Sequence, residues 1–165
     1  MNQYQGGYAD FDEDDRVAIR EFALLWSIFE AQALLGDGRV EAIIEFVDDF
    51  AKAARDDHRR LMTAPFIPHI TYFREQFLTP NHASTNELFE ALSFQDRRHQ
   101  KMVSSVLLKL RDDTPELVKA LLLIVDRLRD SVFRGLKWHH PDKKKRDDLY
   151  HASKILMKAV DSSRP

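Results

Sequence analysis

Cysteine is absent from the 165 residues, glycine occurs five times and proline six. Without thiols the chain has no structural disulfides, no thiolate nucleophile and no cysteine-based zinc site. Glycine and proline fall between periodic apolar segments, as they do in helical proteins with short connections. No run approaches the roughly 18 consecutive apolar residues that a membrane span requires. The opening stretch MNQYQGGYADFDEDD is polar and acidic, with no apolar segment behind a basic one as a secretory leader would have. These absences lead to the expectation of a cytoplasmic protein without a membrane partner. Period-2 alternation of useful length is also missing, as are internal repeats and low-complexity tracts, so the expected fold class is all-α.

What is present fits one folded unit. Hydrophobic residues make up 44% and charged residues 32%, a globular balance rather than a disordered one. The length suits one domain with one core. The net charge of −2 conceals an asymmetry. Residues 1–110 hold 12 Lys/Arg against 18 Asp/Glu, and residues 111–165 hold 13 against 9. A basic C-terminal third can meet an anionic partner such as RNA, or it can simply be attracted to the acidic remainder of its own chain.

Residues 1–12 read as a flexible acidic tail, and 13–165 as a single domain of five to six helices. Acidic residues opening a helix from about Asp14 suit the positive end of its dipole, and Gly36 and Gly38 stop it near Leu35. Val17, Phe22, Leu25, Trp26, Ile28, Phe29, Ala33 and Leu35 cover a wide arc of that helix, which predicts burial on more than one side. The next helix, 39–57, has one clean face of Val40, Ile43, Ile44, Val47, Phe50, Ala51 and Ala54. Thr63–Pro68 reads as a linker, 69–78 as a short helix ended by Thr79-Pro80-Asn81, and 85–110 as a helix bent near Ser93. Thr114-Pro115-Glu116 has the form of a cap, a first-turn proline and an acid, and opens a helix running to Arg134 and stopped by Gly135. Leu136–Lys145 is expected as a loop and 146–161 as the last helix.

One residue does not fit its helix. On a wheel begun at Leu117, the positions Leu121, Ile124, Val125, Leu128 and Val132 lie between about −20° and 80°. Val118, Leu122 and Phe133 extend the arc to about 160°, and Arg129 falls inside it at about 120°. Arg127, Asp130 and Arg134 fall on the other side. A guanidinium among apolar neighbours needs a carboxylate, carbonyls, water or an anion. Arg129 is therefore either paired with an acid of the first two helices or held at the floor of a phosphate-binding cleft. The turn that follows interleaves cations with an indole and imidazoles: Lys137, Trp138, His139, His140, Lys143, Lys144, Lys145 and Arg146. Such a run can contact phosphates and stack a base, or it can be a solvated loop. His139, His140 and Asp142 are not a recognised ligand set, so neither a metal nor another cofactor is expected. His58, His69, His82, His99 and His151 read as surface or core-edge residues.

The stretch from Leu123 to Trp138, with Arg129-Asp130-Ser131-Val132-Phe133-Arg134-Gly135-Leu136-Lys137 at its centre, resembles the signature of HEPN-domain proteins. Small bacterial members of that group tend to read Arg-Asn, three residues, then His-Gly-x-Lys. Residues 146–157 are similar to the helix that follows in that group, and Leu25-Trp26-Ser27-Ile28-Phe29-Glu30 is more loosely similar to its opening helix. The resemblance implies an HEPN-like helical bundle that homodimerises and faces two Arg-x(4–6)-His motifs across the interface. Active members are metal-independent endoribonucleases of toxin–antitoxin and phage-defence systems, with histidine as acid or base and arginine stabilising charge on phosphorus.

By position, Arg129 is the motif arginine, Asp130 stands where asparagine is common and Arg134 replaces the histidine. Arginine is a poor base near neutrality, and Asp130 brings negative charge toward a phosphate site. Asp130 and Arg134 also have the spacing of a helical ion pair. The expectation is a catalytically impaired, dimeric binding module in contact with RNA or a protein partner. Two alternatives stand beside it. One is an active endoribonuclease using Arg129 and Arg134 with His139 or His140. The other is a helical interaction protein without a nucleic-acid role.

Overall fold

The computed structural model describes residues 11–56, 64–134 and 143–163. Seven α-helices are found among them: α1 (Glu13–Gln32), α2 (Val40–Asp56), α3 (Ile67–Phe77), α4 (Glu87–Glu90), α5 (Arg97–Leu107), α6 (Thr114–Arg134) and α7 (Lys143–Ser163). No strand occurs among the described residues, only an isolated bridge between Leu78 and Thr85. The all-α bundle expected from periodicity is thus observed, with more helices than the five to six expected. None of the described helices is long and apolar enough to cross a membrane.

Each boundary has a local cause. Asp12 caps α1 by accepting from the Asp15 backbone N–H at 2.8 Å. The residue therefore belongs to the helix start rather than to the expected tail, whose residues 1–10 lie outside the described ones. α1 ends at Gln32 with Ala33 as its cap, and the chain then turns left-handed at Leu35 and Gly36 (φ 53° and 85°), with the Gly36 N–H on the Glu30 carbonyl at 2.9 Å. The expected linker Thr63–Pro68 holds a 3-10 turn, Ala64–Phe66, and then the start of α3 itself. Pro68 is tolerated there because the first turn of a helix has no carbonyl awaiting its missing N–H. The expected helix 85–110 is broken rather than bent: Asn86 caps the single turn of α4, Ser93 is left-handed (φ 55°) and Asp96 caps α5 afresh.

α6 is the axis of the bundle. It touches α2, α3, α5 and α7, and every residue from Leu117 to Asp126 is buried. The one-sided wheel understates this, since Ala120 and Leu123 on its far side are also buried. α1 packs chiefly on α7, burying Phe22, Trp26 and Phe29. Its outer side is exposed at Val17 and Leu24, and Leu35 beyond its end is 87% exposed, so the expected burial of α1 on several sides is not observed. α2 follows its expected face, with Ile43, Val47, Ala51 and Ala54 inward and Glu41, Glu45, Asp48, Asp49 and Lys52 outward. α7 begins at Lys143, three residues before the expected Arg146, so the basic run Lys143–Arg146 is the first turn of a helix and not part of a loop.

Candidate functional site

Arg129 lies near the C-terminal end of α6, one turn beyond Asp126. Its Nη2 donates to Asp126 Oδ1 at 2.9 Å. The Asp126 side chain is 3% exposed and that of Arg129 27%. The guanidinium carbon sits 4.6 Å from the ring centroid of Trp26, reaching across from α6 to α1. Trp26 is fixed in turn by its indole N–H, which donates to Glu30 at 2.8 Å. The Arg129 Nε is buried and has no hydrogen-bond partner among the described residues. The cation is therefore balanced by an acid of its own helix and stacked on an indole, not paired with an acid of the first two helices.

A second pair is interleaved with the first. Arg127 Nη2 donates to Asp130 at 2.9 Å, and Arg127 Nε donates to the Leu92 carbonyl at 2.9 Å. Placed on the solvent side by the wheel, Arg127 is only 11% exposed and more buried than Arg129, because the segment after α4 closes over it. Asp130 thus holds Arg127. Arg134 is the last residue of α6, and its side chain lies outside the described residues, as do Lys137, Trp138, His139 and His140 entirely. Lys143 and Lys144 open α7 with side chains outside the described set, and Lys145 is half-buried there.

Arg146 shows where part of the basic charge goes. Its guanidinium meets Asp15 at 3.0 Å, Asp14 at 3.3 Å and Asp12 at 3.7 Å, joining the first turns of α7 and α1. Burial pushes the fully covered Asp15 carboxyl up from its ordinary range. On the far side of the acidic half, Lys119 meets Asp48 at 2.6 Å and Glu116 at 3.3 Å. The Arg146 contacts and the Lys119–Asp48 pair realise the attraction between the acidic and basic parts of the chain.

The sequence reading passed over a different cluster. His69 on α3 and His151 on α7 meet through their Nδ1 atoms at 2.8 Å. His69 is 6% exposed, a buried residue rather than a core-edge one. Tyr72, one turn along α3, stacks on His151 with centroids 3.9 Å apart and donates its hydroxyl to Asp148 at 2.6 Å. Burial lowers His69 to about 4, helped by His151, Lys158 and Lys154; burial also lowers His151, against the pull of Asp147. Both imidazoles are neutral at pH 7 and share one N–H···N bond. Among the described residues no group of three or more His, Asp or Glu is placed to hold a metal ion. A wheel for α3 carries a signal for this cluster: His69 lies about 40° from Phe73, at the edge of the apolar arc. Its partner, 82 residues away, has no such local mark.

Chemically, the Arg129 cluster holds a guanidinium against a buried carboxylate, each engaged by the other. The histidine cluster holds exchangeable protons, but in a covered contact between two helices. No family model, curated protein or solved structure matches this chain.

Proposed function

We propose that this chain is an HEPN-like helical domain that has lost endoribonuclease chemistry and acts as a homodimeric binding module for single-stranded RNA, in a toxin–antitoxin or phage-defence setting. The observation that supports it best is the doubly paired turn of α6. Asp126 neutralises Arg129, and Asp130, at the position where the resembling family commonly carries an amide, takes Arg127. Transesterification needs a proton acceptor beside the phosphate, and both carboxylates of this turn are engaged by arginines instead. Binding needs less. Arg129 is held in place by Asp126 and Trp26 with one N–H unmatched among the described residues, and Lys137, Trp138 and His140, which lie outside those residues, follow it in the sequence. A positioned guanidinium suits a backbone phosphate, and the lysines and indole that follow it in the sequence have the chemistry for further phosphates and a stacked base.

A helical protein-interaction module without RNA is the second reading. It is favoured by the engagement of Arg146 with Asp12, Asp14 and Asp15, which withdraws basic charge from any outside ligand.

One experiment separates these readings. Labelled single-stranded RNA is incubated in EDTA with the protein and with Arg129→Gln, Arg129→Lys and His139→Ala/His140→Ala variants, each checked for helicity. Retention of intact RNA, weakened by rising salt and several-fold by Arg129→Gln but less by Arg129→Lys, is the expected result. Cleavage in EDTA that is lost in the Arg129→Gln and double-histidine variants would establish an active endoribonuclease instead. Neither binding nor cleavage would leave the protein-interaction module, and a monomer by sedimentation at micromolar concentration would remove the dimeric arrangement.

A further inference from the structure

α3 is fastened to the bundle by polar contacts of different kinds at its two ends. Near its C-terminus, the Arg74 guanidinium donates to the carbonyls of Leu107 and Val106, each at 3.0 Å, and so closes the last turn of α5. Neither partner titrates, and arginine keeps its proton across the accessible range. Near its N-terminus, the contact is the 2.8 Å meeting of His69 and His151, flanked by the bond from Tyr72 to Asp148. Between the two Nδ1 atoms there is room for one hydrogen. The bond exists when one ring donates and the other accepts, and it survives a first added proton placed on an outer nitrogen. It does not survive a second, because both Nδ1 atoms then carry hydrogens aimed at each other. We propose that the His69–His151 contact is a proton-operated latch: acid releases the N-terminal half of α3 from α7 while Arg74 keeps the C-terminal half tied to α5.

The surroundings favour release once protons arrive. Among the described residues, the charges acting on the two rings come from α7: Lys154 and Lys158 on His69, and Asp147 on His151. Two ammonium groups oppose a cation on His69, and a single carboxylate favours one on His151. The ring that is more covered is therefore the one that resists its proton, and the detached helix accepts it more readily than the docked one. His69 has an ordinary value of 6.5 when free and about 4 when docked. Linkage then makes the released form about thirtyfold more populated, relative to the docked form, at pH 5 than at pH 7.5 from His69 alone.

Hydrogen exchange along α3, corrected for the intrinsic pH dependence of the chemistry, tests this on the full chain. At pH 7.5 the amides of α3 are expected to be protected throughout. At pH 5 those of residues 71–73 should lose protection by about thirtyfold while the core of α6 keeps its own. His69→Phe should abolish the pH-dependent step, His151→Phe, which leaves His69 covered but without its partner ring, should diminish it, and neither should change the response of α6. An equal loss of protection in α3 and α6 would show global unfolding and overturn the latch. So would an undiminished pH step in either variant. If His69→Phe does not fold, His151→Phe, whose ring retains the stack on Tyr72, decides alone.

Discussion

α6 and α3 each place an ionisable side chain on an apolar arc, and they satisfy it in opposite ways. Arg129 keeps its charge and finds a carboxylate three residues back on its own helix, with an indole from α1 beneath it. His69 gives up its charge and finds an imidazole 82 residues away. A guanidinium cannot be neutralised by deprotonation, so its helix must supply an acid or the fold must supply water. An imidazole can shed its proton, and a neutral donor–acceptor contact then suffices. Local pairing keeps both partners of the α6 turn on one helix, whereas the α3–α7 contact joins two imidazoles whose ordinary values burial lowers.

The largest effect is expected from breaking the α6 pair, and it should be asymmetric. Among the described residues, Arg129→Ala leaves the Asp126 carboxylate, 3% exposed, with the Arg127 Nη1 at 4.0 Å as its remaining cation. The cost should be about 3 kcal/mol of unfolding free energy, the scale of a buried charge stripped of its partner. Asp126→Ala instead leaves a guanidinium that is 27% exposed, still stacked on Trp26 and able to recruit water. About 1 to 2 kcal/mol is expected there. Urea denaturation of the two variants checks the order. Equal costs would mean that the two side chains share one environment.

A smaller effect, one that depends on pH, sharpens the contrast. His69 is depressed to about 4 in the folded chain and returns to 6.5 on unfolding. The unfolded state therefore binds the extra proton first, and stability contributed by neutral His69 is complete above pH 6.5 and lost as pH falls toward 4. At pH 5 the loss should be about 2 kcal/mol. Thermal melts of the wild type and His69→Phe between pH 7.5 and 5 report it as a difference between two curves. Parallel curves would place the acid sensitivity elsewhere.

The same contrast explains what could be read from the chain directly. Helical periodicity located α2 and α6 closely, since both bury long runs at regular spacing. Arg129 stood out on the wheel because its apolar neighbours are within two turns, but its acid was expected on the first two helices although the carboxylate it meets is three residues away on α6. The solvent placement of Arg127 failed because its cover, the Leu92 carbonyl, comes from a segment 35 residues earlier. The break at Ser93 was legible as a bend but not as two separately capped helices, since Asn86 and Asp96 cap by geometry that composition alone leaves open. His69 and His151 were read as bland for the same reason: what makes them a pair is the docking of α3 on α7.

The smallest effect concerns the aromatic floor under Arg129, and it tests whether Trp26 does more than fill space. Trp26 is 3% exposed, so truncating it to alanine would mostly report a cavity. Trp26→Phe keeps an aromatic face and loses the indole N–H that donates to Glu30. Trp26→Leu, which removes the ring, combined with Arg129→Met in a double-mutant cycle isolates the contact between ring and guanidinium from the burial of each, with Trp26→Phe as the control that retains an aromatic face. A coupling of about 0.5 to 1 kcal/mol is expected for a half-buried cation on an indole. Asp126 already draws the guanidinium toward one edge, so a coupling near zero would show that the acid alone sets its place. A larger value would mean that α1 holds the end of α6 through this stack, which would make Trp26 the inter-helix counterpart of the carboxylate within α6.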